Sequence, residues 1–264
     1  MTSEATLVER NNGLVTITLN RPARKNAINS AMWNELDAAL LEIEVNPTDR
    51  AVLLIGADGN FSSGADLSGE GTNGLTGRGR QLVLHEMRVV GRIIGRLKAL
   101  PKPTIAAVDG VAVGVALGLA LACDLVIATD RARFMEIFAK RGLALDGGTS
   151  WTLPYLVGPR RAKQMAFFGE TIDAAIALDW GLVNEVVDPE TLYATAIDWG
   201  RRLANGPTTA LSLMKTLIDG SATASFEAAL EGEARAQHIV YTTNDMQEGI
   251  RAYLERREPR FTGN

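Results

Sequence analysis

The chain is poor in the residues that build disulfide frameworks and metal centres. A single cysteine, Cys123, among 264 residues excludes an intramolecular disulfide framework and a multi-cysteine zinc site. Cys123 lies in an apolar run and reads as an inert core thiol. Two histidines, His85 and His238, are too few for a histidine-rich metal site. A strong charge of either sign is also missing. A formal net charge of −4 gives no reason to expect nucleic acid as a partner. No apolar run is long enough to cross a bilayer, since the longest, 111–123, is interrupted by Gly114 and Gly118. The opening MTSEATLVERNNG has no basic segment followed by an apolar one, so neither a secretory signal nor a membrane partner is expected. A cytoplasmic protein is.

What is present is an ordinary globular balance, 46% hydrophobic, able to bury a sizeable core. LVTITLN, 14–20, alternates Val15, Ile17 and Leu19 with Thr16, Thr18 and Asn20. This predicts a strand with one buried face after an Asn12-Gly13 hairpin turn. Ser30 can cap a helix whose apolar positions Trp33, Leu36, Leu40 and Ile43 recur at helical spacing. AVLLIG (51–56), TIAAV (104–108) and LVIA (125–128) read as buried strands. The five glycines of GEGTNGLTGRG, 69–79, predict a mobile surface loop, and a helix follows it as far as PKP. GVALGLALACD predicts a central helix, apolar on every side. Beyond Trp151 the pattern is mainly helical, broken by LVNEVV (182–187), and from about Leu192 it is helical alone. The expected organisation is a strand-and-helix core over 1–200 and a helical region over 201–264.

Two segments share one form, a buried strand leading through a short loop into glycine and small residues. They are LLIGADGNFSSGADLSG and IAAVDGVAVGVALG. Glycine there lets a ligand approach main-chain N–H groups that a helix start or turn leaves unpaired. Together with TLNRPARKNAINSAM, GLALDGGTSWTLPYLVG, AIALDWGLVNEVV and EGIRAYLERREPRFTGN, they make the chain resemble the crotonase, or enoyl-CoA hydratase/isomerase, superfamily. The segments occur in family order over nearly the whole chain. The resemblance implies an α/β fold, a crotonase-like spiral of ββα units with a C-terminal helical trimerisation region, so that the chain would form a homotrimer or homohexamer. It also implies an acyl-CoA thioester substrate and no separate cofactor, because CoA is part of that substrate.

By position, the resemblance makes the backbone N–H groups of Ala65 and Val115 the pair that holds the thioester oxygen when it becomes an enolate. Losing one such donor typically costs about 3–4 kcal/mol of transition-state stabilisation. Of the basic cluster Arg21, Arg24 and Lys25, it favours Arg24 and Lys25 as CoA-phosphate contacts. Further substrate contacts are expected at Ala27, Ser63, Ala65, Asp66, Leu67, Gly114 and Leu143. Phe61 or Leu67 should form the pocket floor, with the 69–79 loop over the acyl chain.

Hydratases of this family use two glutamates. Here Gly118 stands at the first position and Phe138 or Ile137 at the second, while register puts Glu136 on the opposite side. The acid that remains is Asp146 in GLALDGGTSW, between apolar residues and two glycines. Asp-Gly alone reads equally as a turn. The segment is similar, however, to the single-aspartate isomerase subgroup that includes phenylacetate-pathway isomerases, where the equivalent aspartate is the acid/base. A 1,3-proton shift needs one carboxylate to take a proton from one carbon and return it to another. Leu143, Leu145 and Trp151 should wall the pocket and raise the Asp146 pKa. Asp66 should hydrogen-bond its own loop; Glu86 and His85, after the 69–79 segment, could point into the pocket, with a surface position favoured. The leading expectation is an enoyl-CoA isomerase acting through an enolate. The alternatives are a hydratase using Asp146 and a bound water, and an acyl-CoA-binding member with weak catalysis.

Overall fold

In the computed structural model, which describes residues 4–68 and 80–264, the chain first turns back on itself at Asn12 and Gly13. Both have positive φ (49° and 83°), the geometry of a two-residue hairpin turn. β1 (Thr6–Asn11) and β2 (Leu14–Leu19) accordingly pair antiparallel. α1 (Ser30–Val45) leads to β3 (Ala51–Gly56) and then α2 (Arg80–Ala99). The next turn is β4 (Thr104–Val108), β5 (Val111–Val113) and α3 (Val115–Leu121), and the one after is β6 (Leu125–Thr129), β7 (Arg133–Met135) and α4 (Thr149–Phe168). β8 (Thr171–Asp173), α5 (Ala174–Asp179) and β9 (Glu185–Val187) end the winding. α6 (Leu192–Ala204), α7 (Thr208–Gly220), α8 (Phe226–Val240) and α9 (Asn244–Glu255) complete the chain.

From β4 onward each turn lays one strand in a large sheet and a shorter one in a small sheet. The large sheet runs β1-β2-β3-β4-β6-β9 and is parallel from β2 onward; the small one runs β5-β7-β8. A bridge between Ser62 and Ala112 extends the same stacking to the loop after β3. This is a spiral of ββα units, as the motifs imply. Alternate residues of the large sheet enter two different cores. Val15, Ile17, Val52, Leu54, Ala106 and Val126 face α1–α4, whereas Leu14, Leu53, Ile105 and Ile127 face α6 through Leu192 and Ala196.

Three expectations change. The strand at 14–19 is covered on both faces, Thr16 included, because α6 packs on the side read as open. Asn29 caps α1, its side chain accepting from Met32 N at 3.0 Å, so Ser30 is the first helical residue instead. The small sheet was not anticipated, since its strands span only three residues each, too few to show alternation. The glycine-rich 69–79 loop lies outside the described residues. Among the described residues no helix is long and apolar enough to cross a membrane, and no group of three or more His, Cys, Asp or Glu could hold a metal. Cys123 is buried, and desolvation pushes its thiol up to about 12, which makes it inert as a nucleophile.

Candidate active site

The loop between β2 and α1 is organised by Asn26, which is fully buried. Its side-chain nitrogen donates to the carbonyls of Ala57 (2.8 Å) and Asn60 (2.7 Å), and its side-chain oxygen accepts from Arg21 N (2.9 Å). The Asn26 carbonyl accepts from Ser62 Oγ at 2.7 Å. These bonds stitch the basic loop to the segment after β3. Ser63 extends the seam, its N–H donating to Lys25 O at 2.9 Å and its hydroxyl to Arg24 O at 3.2 Å.

The segment then passes Gly64, where an added Cβ would meet Val113 O at 2.6 Å, so only glycine allows this approach to β5. Ile28 N donates to Gly64 O (2.8 Å) and Asp66 N to Ile28 O (2.9 Å). This bridge skips the N–H of Ala65. On the neighbouring turn Gly114 N donates to Met135 O at 2.8 Å, and Val115 begins α3. Among the described residues, neither the Ala65 nor the Val115 N–H is taken up by a hydrogen bond. Asp66 accepts from Ser68 N (3.0 Å) and Ser68 Oγ (2.6 Å) and pairs with Arg21 at 2.8 Å. Burial works to raise its pKa, but Ser68 and Arg21 together hold it below the ordinary value.

Asp146 sits on a turn closed by Gly147 and Gly148, with φ of 65° and 77°. Thr149 secures the turn, its N–H (3.2 Å) and hydroxyl (2.9 Å) both donating to Asp146 O. The turn rests on α3 so closely that a Cβ added at Gly118 would lie 2.4 Å from Gly147 O. The space that a glutamate at position 118 would need is therefore filled by the main chain that carries Asp146. Burial pushes the Asp146 carboxyl up from 3.8 to about 6, and its Oδ1 is buried without a hydrogen-bond partner.

These groups meet in a cavity of about 250 Å³. Ala65, Asp66, Leu67, Val115 and Asp146 all line it, with Ile28, Trp33, Val89 and Val90 supplying apolar wall. Among the remaining expected site residues, Arg24 and Lys25 are exposed, and neither they nor Ala27, Ser63 and Gly114 line the cavity, although Ala27 and Gly114 are buried beside residues that do. Three expected wall residues need correction. Leu143 is 52% exposed and off the wall, because its loop turns outward before Asp146. Trp151 also points away and stacks on Tyr155, ring centroids 5.5 Å apart, and Leu145 is absent from the wall too. Of the two floor candidates, Leu67 lines the cavity and Phe61 is core. Glu86, expected more at the surface than in the pocket, lines the cavity from α2, whereas His85 is exposed. A larger cleft of about 490 Å³ beside Lys98, Trp151 and Lys215 contains none of the Ala65, Val115 and Asp146 groups.

Sequence reasoning also missed Asn26 and the burial of Glu136. Asn26 had one local signal, a residue able to take positive φ (54°) between the basic pair and a buried run. Glu86 had only its place after the 69–79 segment, which left a surface and a pocket-facing position both open.

Comparison with known proteins gives a consistent result. Residues 9–264 match the family model described as "Enoyl-CoA hydratase/isomerase". The chain is 39% identical to 1,2-epoxyphenylacetyl-CoA isomerase of Escherichia coli, over 95% of each chain. It is 35% identical to trans-2-decenoyl-[acyl-carrier-protein] isomerase of Streptococcus mutans, over 96% of this chain and 95% of that one. A crystal structure of enoyl-CoA hydratase from Bacillus anthracis superposes with a TM-score of 0.92 at 30% identity, covering 98% of this chain and 100% of that one.

Proposed function

Because the chain belongs to the enoyl-CoA hydratase/isomerase family, we propose that it is an enoyl-CoA isomerase in which Asp146 is the single acid/base. The observation that carries this reading is Asp146 facing one cavity with the uncommitted N–H groups of Ala65 and Val115. The thioester oxygen is held between those two donors. With a 3-enoyl thioester, the Asp146 carboxylate removes a proton from carbon 2, and the electron pair passes to the oxygen as a dienolate. The same carboxyl returns the proton to carbon 4, leaving the double bond between carbons 2 and 3. A carboxyl near pH 6 is ionised at neutrality yet close enough to the working pH to give its proton back. The exposed Arg24 and Lys25, held in place by the Ser63 seam, would meet the CoA phosphates. The exposed faces of α7–α9 would join copies of the chain into a trimer or hexamer.

A second reading rests on Glu86. It lines the cavity with Asp146 and with Asp66, of which Asp66 is paired with Arg21, and hydration in this family uses two carboxyl groups. Asp146→Asn separates the readings. The substitution keeps the side-chain size and leaves the Thr149 bonds to the main-chain oxygen intact, so acyl-CoA binding should persist. Isomerisation of a 3-enoyl-CoA should fall by about a hundred- to ten-thousand-fold. Near-normal turnover by the variant would remove Asp146 from the reaction. Rapid hydration of a 2-enoyl-CoA by wild type, without movement of the double bond, would establish the hydratase. Binding without turnover would mark an acyl-CoA carrier.

A further inference from the structure

A second carboxyl lies behind the first. Glu136, the residue after β7, is fully buried, and neither of its oxygens has a hydrogen-bond partner. It is not among the residues that line the cavity. Its position is nevertheless set by the site's own framework. The preceding carbonyl, Met135 O, accepts from Gly114 N at the entrance to α3, and its chain packs against Gly169 on the far side. Thr149 stands between the two acids: its hydroxyl donates to Asp146 O (2.9 Å) and lies close to the Glu136 carboxyl without forming a well-aligned hydrogen bond to it, so that it only partly offsets the burial of Glu136. From the elements packed against Glu136, the ionisable side chain whose charge reaches it is Asp146. Arg133 and Lys140, on its own stretch, are exposed.

A buried carboxylate with no donor is expensive, and two adjacent ones more so. Asp146, partly open to the cavity, is the one that can ionise. We propose that Glu136 is a positioning residue for Asp146: it remains protonated in the working enzyme, and its ionisation sets the upper pH limit of the reaction. The pair holds one proton between a lower step, near 6, and an upper step, near 8, the latter raised by burial first and by the Asp146 charge second. While Glu136 is neutral, Asp146 can both take the substrate proton and release it. Once Glu136 ionises, its charge makes Asp146 hold the proton it has taken, and return to carbon slows.

The kinetic part rests on Asp146 as the acid/base, so the test has two arms. In wild type, kcat should rise through about 6 and fall above about 8. Glu136→Gln, a neutral mimic of the protonated side chain, should keep the acid limb and most of the neutral-pH kcat while losing the alkaline fall. Infrared difference spectroscopy of the resting protein reads the proton without turnover. A carbonyl stretch of a buried protonated carboxyl should be present at neutral pH, disappear with a midpoint near 8, and be missing from Glu136→Gln. Asp146→Asn should lower that midpoint. An unchanged alkaline limb in a folded Glu136→Gln, or loss of its neutral-pH activity, overturns the proposal. So does the absence of the infrared band from wild type, which also decides the matter if the variant does not fold. If the band behaves as expected but no isomerisation is found, the paired carboxyls stand and only the reaction assigned to them fails.

Discussion

Asp146 is held in an environment that opposes its charge, and the opposition has a measurable sign. Its carboxyl titrates near 6 in the folded chain against 3.8 ordinarily. Below 3.8 both states bind the proton and the fold loses nothing; as the pH rises through about 6, the unfolded chain has already ionised while the folded one must pay desolvation. Asp146→Asn removes that term, so the variant should be more stable than wild type at pH 7 and about equal to it near pH 3.8. The gain expected is on the order of 1–2 kcal/mol once partial exposure is allowed for. Thermal melts at both pH values check it, and a variant less stable than wild type at neutrality would show that the aspartate is a structural turn residue. Asp146 stood out in the sequence through the likeness of its segment to the single-aspartate subgroup, since Asp-Gly by itself reads as a turn. Glu136 did not stand out. Counting from Phe134 or from Gly148 gives the register of a short segment but not which side is interior, and here both sides are covered.

The contact between α3 and the Asp146 turn explains why a glycine stands at 118. The helix itself was readable, since every position from Val115 to Leu121 is apolar and all are buried. The reason for its glycine lay in a partner that arrives much later in the chain, which no local pattern reports. Gly118→Ala would set a Cβ 2.4 Å from Gly147 O, a main-chain atom that cannot rotate away. The turn must shift, so Asp146 moves relative to the Ala65 and Val115 donors. Stability should drop by about 1–3 kcal/mol from overpacking, and kcat by about a hundredfold from misplacement of the carboxyl. Acyl-CoA affinity, which depends on contacts elsewhere, should change far less. Steady-state kinetics beside a binding titration would separate these effects, and a full kcat in a folded variant would mean that the turn is not rigidly seated. The small sheet escaped sequence reading for a related reason. Its strands are defined by stacking with the turns above and below rather than by their own alternation.

The last helices are joined to the core by a few specific links rather than by a broad apolar face. Arg50 donates to Thr208 Oγ1 (3.0 Å), Gly206 O (2.5 Å) and Phe261 O (3.2 Å). Lys215 pairs with Asp124 at 3.0 Å, while within the C-terminal region Asp245 of α9 accepts from Thr262 N (2.6 Å) and Gly263 N (2.8 Å) of the tail. α7 has no buried residue and α8 only Ala236. Outward they present Phe226, 74% exposed, and Tyr253 and Leu254, 82% and 74% exposed, while Phe167 and Phe168 are exposed at the end of α4. Exposed apolar side chains on several elements are what association of copies, as proposed, would cover. The sequence already hinted at this in FEAALEGEARAQHIVY, whose apolar positions exceed what a lone terminal helix can bury, but it could not show which of them remain outside. The expected outcome is a trimer or hexamer by sedimentation equilibrium at about micromolar concentration. Tyr253→Glu combined with Leu254→Glu puts two charges into that surface and should yield smaller species, with the spiral core still folded by circular dichroism. A wild-type chain that sediments as a monomer would leave those side chains without a partner and end the assembly proposal.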